Sequence, residues 1–166
     1  MPKKFRSRET EVNFYTRYLR EFTYTLYPIL TFTPNIPPYE TAISFCEIIS
    51  QVALRKKDFF SLKRIYFLMA LFADVTGKSN PHPLLRKSKE YELMELSNQR
   101  KKNRRIQILA SANGCENCQE HDGRKLTTEE ALATMPLPHA SCTYSNYNDD
   151  YESHGFCRCE YSLVFK

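Results

Sequence analysis

The residues best suited to hold a metal ion are crowded into the last third of the chain. Five of the six cysteines and three of the four histidines lie between positions 114 and 159. The cysteines include two closely spaced pairs, CENC over 115–118 and CRC over 157–159. Thiolates and imidazoles are the donors that zinc prefers in proteins. The pattern therefore predicts a zinc site in this part of the chain.

Seven side chains compete for the four positions of a tetrahedral zinc ion. The CxxC pair ranks first, because a tight turn brings both sulfurs to one point and Gly114 allows the bend. One or both cysteines of the CxC pair come next, since side chains two apart on a strand lie roughly 7 Å apart. The predicted ligands are Cys115, Cys118, Cys142, Cys157 and Cys159, with His139 and His154 ranked behind them.

Zinc at this place has a structural and a catalytic interpretation. A structural ion would stabilise an appendage of about 50 residues that has too few apolar side chains for a core. A catalytic ion needs an open position beside an acid or base, and the nearest candidates are Glu120, His121, Asp122 and His139. None of them forms an HExxH or HxE arrangement, so we expect the structural role.

Redox chemistry at the CENC thiols is a third interpretation. Reactive CxxC pairs usually precede a helix, whose dipole lowers the pKa of the first thiol. The sequence after Cys118 contains a Gly-bearing loop and no evident helix start. We therefore rank redox activity below metal binding.

Length and composition indicate a cytoplasmic protein with one main domain and a small module. The chain has 166 residues, no apolar run of about 18 residues, and no apolar stretch behind its first basic residues. In a reducing compartment clustered cysteines are more often metal ligands than disulfides. We expect no membrane contact.

The charge of the chain is unevenly divided. Residues 1–110 carry 20 Lys and Arg against 10 Asp and Glu, whereas residues 111–166 carry 4 against 9. The excess of positive charge in residues 1–110 favours acidic partners such as nucleic acid. Charged helix faces are also common simply because they keep a protein soluble. The basic cluster that would contact nucleic acid is Arg100, Lys101, Lys102, Arg104 and Arg105.

Apolar spacing of three and four residues predicts helices before the cysteines. The predicted helices cover 9–26, 39–57, 59–77 and 84–105. The third is apolar around most of its circumference, so we expect it to be central and to end at Gly77. The fourth has a thin apolar stripe and should largely face water. Cys46 on the second is expected to be a small core residue.

Helices two to four resemble tetratricopeptide-type hairpins. Ala70 and Gly77 stand where that repeat uses small residues, although the connecting segment 78–83 is longer than its usual turn. The resemblance implies that the helical part is a scaffold for a protein partner.

Short β and α elements are predicted around the cysteines. The segment 106–111 is rich in aliphatic residues and ends at an Asn-Gly turn, and 160–166 alternates, so the two should pair as strands. That pairing would place CENC and CRC side by side. A short helix is predicted over 127–135, with Thr127 or Thr128 as its cap, and 143–154 is expected to be a solvated loop.

The order of these motifs resembles the carboxy-terminal cysteine module of phage minor head, or head morphogenesis, proteins of the Mu F type. The motifs are a strand over 106–111, CENC, Asp122–Gly123, EEA over 129–131, PLPH over 136–139, and CRC before a last strand. The resemblance covers roughly 106–166 and implies a small metal-binding module. The family's histidine stands three residues before CRC, and here both His139 before Cys142 and His154 before Cys157 have that spacing.

Together these patterns predict an α+β protein with two parts. Residues 1–105 would form a basic helical-hairpin domain, and residues 106–166 a zinc-stabilised cysteine-rich module. The expected function is that of an intracellular binding or adaptor protein with a protein or nucleic-acid partner. The alternative is a metal-dependent hydrolase or nuclease whose site lies in the module.

Overall fold

The computed structural model describes residues 7–21, 38–99, 104–112, 114–139, 142, 157 and 159–165. The chain forms two compact units, Met1–Leu84 and Leu85–Lys166. In these described ranges it has six helices and one three-stranded antiparallel sheet, which confirms the α+β class. The sequence analysis placed the domain boundary at 105, behind the fourth helix, whereas the two units divide near the start of that helix.

Three helices build the first unit: α1 (Arg8–Glu21), α2 (Pro38–Lys56) and α3 (Phe59–Thr76). Helix α2 contacts both α1 and α3. Helix α3 buries residues around most of its circumference, as expected, and ends at Gly77 with a φ of 64°, a value that glycine adopts without strain. Cys46 is fully buried in α2, in agreement with its predicted place in the core. The end of the predicted first helix, 22–26, lies outside the described residues.

The aromatic stripe of α1 faces the core of this unit. Tyr15 is fully buried, and its ring centroid lies 4.8 Å from that of Phe72 in an edge-to-face arrangement. The Tyr15 hydroxyl donates to a carboxylate oxygen of Glu11 at 3.2 Å. Edge-to-face aromatic pairs add to the stability that burial supplies. The aromatic side chains of α1 therefore serve packing.

The fourth helix, α4 (His82–Asn98), is shorter than predicted. The prediction ran to Arg105, but Arg104 and Arg105 belong to strand β1 (Arg104–Leu109). The sequence RRIQIL alternates, and Ile106 and Ile108 are both fully buried on one face. The backbone hydrogen bonds of a strand and the burial of two isoleucines outweigh the helix propensity of the arginines.

The sheet brings the two cysteine segments together. Strand β1 lies between β2 (Lys125–Leu126) and β3 (Glu160–Phe165), and both pairings are antiparallel. In the register Ile108 lies opposite Tyr161 and Leu109 lies opposite Glu160. The predicted pairing of the strand before CENC with the last strand is confirmed. Since Leu109 and Glu160 each adjoin a cysteine segment, both segments leave the sheet at the same end.

The short helix α6 (Thr128–Thr134) carries the predicted N-terminal cap. The Thr127 hydroxyl accepts from the Glu130 N–H at 3.1 Å, and the Thr127 N–H donates to the Glu130 carboxylate at 2.7 Å. This is a complete capping box. The helix ends before Pro136, as predicted.

Thr127→Ala should lower the free energy of unfolding of the second unit by about 1 kcal/mol, because it removes the acceptor for a helix N–H. Denaturant unfolding measures the difference. Thr128→Ala is the matched control, since Thr128 follows the capping residue, and it should change the value by less than about 0.5 kcal/mol. Equal losses in the two variants would contradict the capping role.

None of the helices in the described ranges is long and apolar enough to cross a membrane.

Candidate metal centre

The CENC segment forms a single helical turn. Cys115 precedes α5 (Glu116–Gln119), and its carbonyl accepts from the N–H groups of Cys118 at 2.9 Å and Gln119 at 3.0 Å. The helical turn begins at Glu116, between the two cysteines, and ends at Gln119, so the segment after CENC starts no helix, as predicted. The turn places the sulfurs of Cys115 and Cys118 within 4.8 Å of each other.

All five cysteines proposed as ligands lie together. The Sγ atoms of Cys115 and Cys142 are 3.6 Å apart, and those of Cys118 and Cys157 are also 3.6 Å apart. A sulfur–sulfur edge of a tetrahedral zinc site is about 3.8 Å, as follows from a Zn–S bond of about 2.3 Å. The pairs therefore have the separation that a shared ion needs.

The sulfurs are arranged as two groups of three that share Cys118. The first group is Cys115, Cys118 and Cys142, and the second is Cys118, Cys157 and Cys159; within each group every sulfur lies within 4.8 Å of the others. Cys118, Cys157 and Cys159 are buried, whereas Cys115 and Cys142 are partly exposed. Within the described part of the chain, no four of these sulfurs meet that distance together.

The CxC spacing does not separate its two sulfurs as we expected. The 7 Å argument holds for neighbours on one face of a strand. Strand β3 begins only at Glu160, so Cys157 and Cys159 both precede the regular extended segment. Both sulfurs lie within 4.8 Å of the Cys118 sulfur and of each other, so the expected separation of roughly 7 Å was wrong.

The thiols polarise one another within each group. The pKa of Cys159 is lowered to about 6, mainly by the hydrogen bond from the Cys157 thiol, with smaller contributions from the Ser111 N–H and the charge of Lys89, against the opposing effect of burial. The same contact to Cys159, together with burial, raises the pKa of Cys157. Burial raises the pKa of Cys118 to about 12. Burial also opposes ionisation of Cys115, but hydrogen bonds from Cys118 lower its pKa.

Each group thus contains one thiol whose pKa is lowered, Cys115 or Cys159. A bound cation would displace the protons of the other thiols, because metal binding competes with protonation. The arrangement suits a soft or borderline metal ion.

Histidines border the first group without joining it. The backbone N–H of His139 donates to the sulfur of Cys118, and its carbonyl accepts from the Cys142 N–H at 2.9 Å. Its ring centroid lies 5.9 Å from that of His121. Neither imidazole belongs to the metal-ligand groups found in the described residues. His154, the other predicted histidine, lies outside the described residues.

One of the two candidate acids has a structural contact. Asp122 is exposed, and its carboxylate accepts from the Ala110 N–H at 2.8 Å, which ties the turn after α5 to the end of β1. Glu120 is also exposed. The Asp122 contact positions the CENC turn next to the sheet.

A buried lysine near the cysteines was missed by the sequence analysis. Lys89 and Glu92 of α4 form a 2.7 Å ion pair, and each residue is only 9% exposed. Lys89 acts electrostatically on Cys159, and Glu92 acts on Tyr161 of β3. A Lys and a Glu three residues apart on a helix usually form a solvated pair, so the sequence predicted that this face meets water.

Gly114 lies against the cluster. A Cβ atom there would stand 2.9 Å from the Ser111 carbonyl oxygen and 3.4 Å from the Cys159 sulfur. The sequence analysis assigned Gly114 a need for backbone freedom, and the structure shows instead a need for space.

Gly114→Ala should therefore weaken metal binding at the cluster by about tenfold or more, because the methyl group displaces Ser111 or Cys159. Competition with a chromophoric chelator measures the affinity. Ala112→Ser, at an exposed neighbouring position, should leave it unchanged. An unaltered affinity in Gly114→Ala would contradict the close approach.

Comparison with known proteins adds no relative from which to infer function. No family model matches the chain, and neither curated proteins nor solved structures give a match. The chemistry of the cysteine cluster is consequently the main guide. Several close groups of cysteines that can hold a metal ion are present.

Proposed function

We propose that the chain is a binding or adaptor protein whose second unit is stabilised by a structural zinc centre. One observation carries the proposal: five sulfurs from separate segments of the chain converge at one end of the sheet. Thiolate clusters select zinc and other soft ions over magnesium or calcium. Zinc has no redox activity of its own, which suits a role in folding.

The small apolar interior of the second unit supports a structural role. Its large apolar side chains that are fully buried are Leu93 in α4 and, in and beside the sheet, Ile106, Ile108 and Leu137. Tyr161 also lies inside, where its hydroxyl accepts from the Leu137 N–H at 3.0 Å. Small domains with so little apolar mass usually depend on a metal or on disulfides. A metal ion bound at the cysteine cluster would supply the stability that a larger apolar core supplies in other domains.

The adaptor role rests on the first unit. Its helices α2 and α3 pack against each other, and Ala70 and Gly77, on which the tetratricopeptide-type resemblance depends, lie in α3 and at its end. The second unit keeps the motif order of the Mu F-type module, with both cysteine segments brought together. A metal-stabilised module joined to a helical binding unit is the function that these features support best.

X-ray absorption at the zinc edge tests the proposal on the full reduced chain. The expected result is stoichiometric zinc with a first shell dominated by sulfur at about 2.3 Å. Cys46→Ala is the matched control, since Cys46 lies in α2 among core residues and should not change the spectrum. A chain that binds no zinc after reduction would overturn the proposal.

One feature bears on the alternative of a metal-dependent hydrolase or nuclease: the rings of His121 and His139 lie 5.9 Å apart, and the backbone N–H of His139 donates to the Cys118 sulfur. A catalytic ion would retain an open position with a bound water. The absorption spectrum would then have to show an oxygen or nitrogen shell at about 2.0 Å beside the sulfurs. A structural ion with one ligand other than sulfur would show this shell as well, so hydrolytic activity decides between the two. Loss of hydrolytic activity in His139→Gln, with zinc still bound, would support this alternative over a structural centre.

Nucleic-acid binding through the basic cluster is a separate proposal for the partner. Arg100, Lys101 and Lys102 lie outside the described residues, while Arg105 is exposed on β1. Arg104 is partly buried, with its guanidinium 5.1 Å from the Phe165 ring centroid.

Replacing Lys101, Lys102, Arg104 and Arg105 with Gln should abolish such binding, and wild-type affinity should fall steeply with added salt. Electrophoretic mobility shifts measure both effects. Binding that is unchanged in the variant would reject this partner.

A further inference from the structure

The two groups of sulfurs share only Cys118, and this limits what one ion can bind. Two sulfurs on the same zinc can stand no more than about 4.6 Å apart, twice the Zn–S bond length. Neither Cys115 nor Cys142 forms a group within 4.8 Å with Cys157 or Cys159, although all four form one with Cys118. In this arrangement a single ion therefore reaches at most three of the five thiols.

We infer that the cluster is a dinuclear centre, in which two zinc(II) ions are bridged by the thiolate of Cys118. One ion is bound by Cys115, Cys118 and Cys142, and the other by Cys118, Cys157 and Cys159. Each ion accepts one further donor to complete its tetrahedron. The inference rests on the proposed zinc function, and it specifies in addition that two ions bind and that Cys118 bridges them.

The burial of the second group favours two ions over one. Cys118 and Cys159 are fully buried, and Cys157 is 5% exposed. A single zinc with three thiolates carries a net charge of −1 and leaves two cysteines without a metal. Two zinc ions with five thiolates also carry −1. The second ion therefore binds the remaining sulfurs without adding net charge to this buried site, where charge is costly.

The two groups of sulfurs differ in exposure, and this difference predicts the order in which the two ions are released. Cys115 and Cys142 are partly exposed, whereas Cys157 and Cys159 are buried. A chelator in solution should therefore remove the ion of the first group before that of the second. The two ions can therefore be distinguished by the order in which the chelator removes them.

Zinc(II) titration of the reduced full chain, followed by mass spectrometry under native conditions, tests the inference. Two ions per wild-type chain are expected. Cys142→Ser and Cys157→Ser should each retain one ion, while Cys118→Ser should lose both high-affinity ions. Cys46→Ala, which removes the thiol outside the cluster, should retain two.

Cobalt(II) provides a readout that does not depend on how the variants fold. When the second equivalent binds wild-type protein, coupling through the bridging sulfur should reduce the paramagnetic resonance signal per ion. A single ion at saturation would overturn the dinuclear centre and leave the zinc proposal standing. No bound ion would overturn both. Two ions with additive cobalt signals, or two ions retained by Cys118→Ser, would exclude the bridge.

Discussion

Chelation of zinc should unfold the second unit while the helices of the first remain folded. Structural zinc contributes its binding free energy to folding, about 10–16 kcal/mol in zinc-finger peptides at neutral pH. The second unit contains few large buried side chains beside its thiols, so it has little other free energy to replace this contribution. The first unit has a continuous apolar core around α3 and holds no proposed ligand.

Hydrogen exchange with peptide resolution is the appropriate measurement, because it reports on each unit separately. After chelation, amides of β1, β3 and α6 should lose nearly all protection, whereas those of α2 and α3 should keep theirs. Cys118→Ala should reproduce the effect without chelator, since Cys118 belongs to both groups. Protection of β1 that survives chelation would show that the sheet folds without metal.

The sequence predicted the elements whose burial follows a regular period. The positions of α2 and α3 follow from apolar residues at helical spacing, and the pairing of β1 with β3 follows from the alternating pattern around Ile106 and Ile108. The cap at Thr127 was predictable because its interaction partner lies three residues away. Interactions of this kind can be predicted because both partners lie within a few residues of each other in the sequence.

The features that the sequence did not predict depend on distant neighbours. Arg104 belongs to a strand because Phe165, far along the chain, pairs with it. Spacing alone identified the five cysteines as candidates but did not divide them into two groups. That division depends on where β3 begins, which places Cys157 and Cys159 before the strand.

Neutralising Glu92 should destabilise the second unit by about 3–5 kcal/mol, because Glu92→Gln leaves Lys89 buried without its counter-charge. The side chains of Lys89 and Glu92 are 11% and 12% exposed, so water compensates little for the loss. The nearby pair Lys87–Glu90 has the same spacing and a similar distance of 2.8 Å, with side chains 39% and 31% exposed. Glu90→Gln is therefore a matched control that should cost less than about 1 kcal/mol.

Replacing both members of the buried pair distinguishes an unpaired charge from a loss of packing. Lys89→Met combined with Glu92→Leu removes both charges while keeping apolar volume, so most of the stability should return. Denaturant unfolding at saturating zinc measures all variants under one condition. Because Lys89 also acts on Cys159, the double variant should bind zinc more weakly even when its fold is restored. Equal costs for Glu92→Gln and Glu90→Gln would mean that the ion pair is solvated, and α4 would then have no electrostatic role at the metal centre.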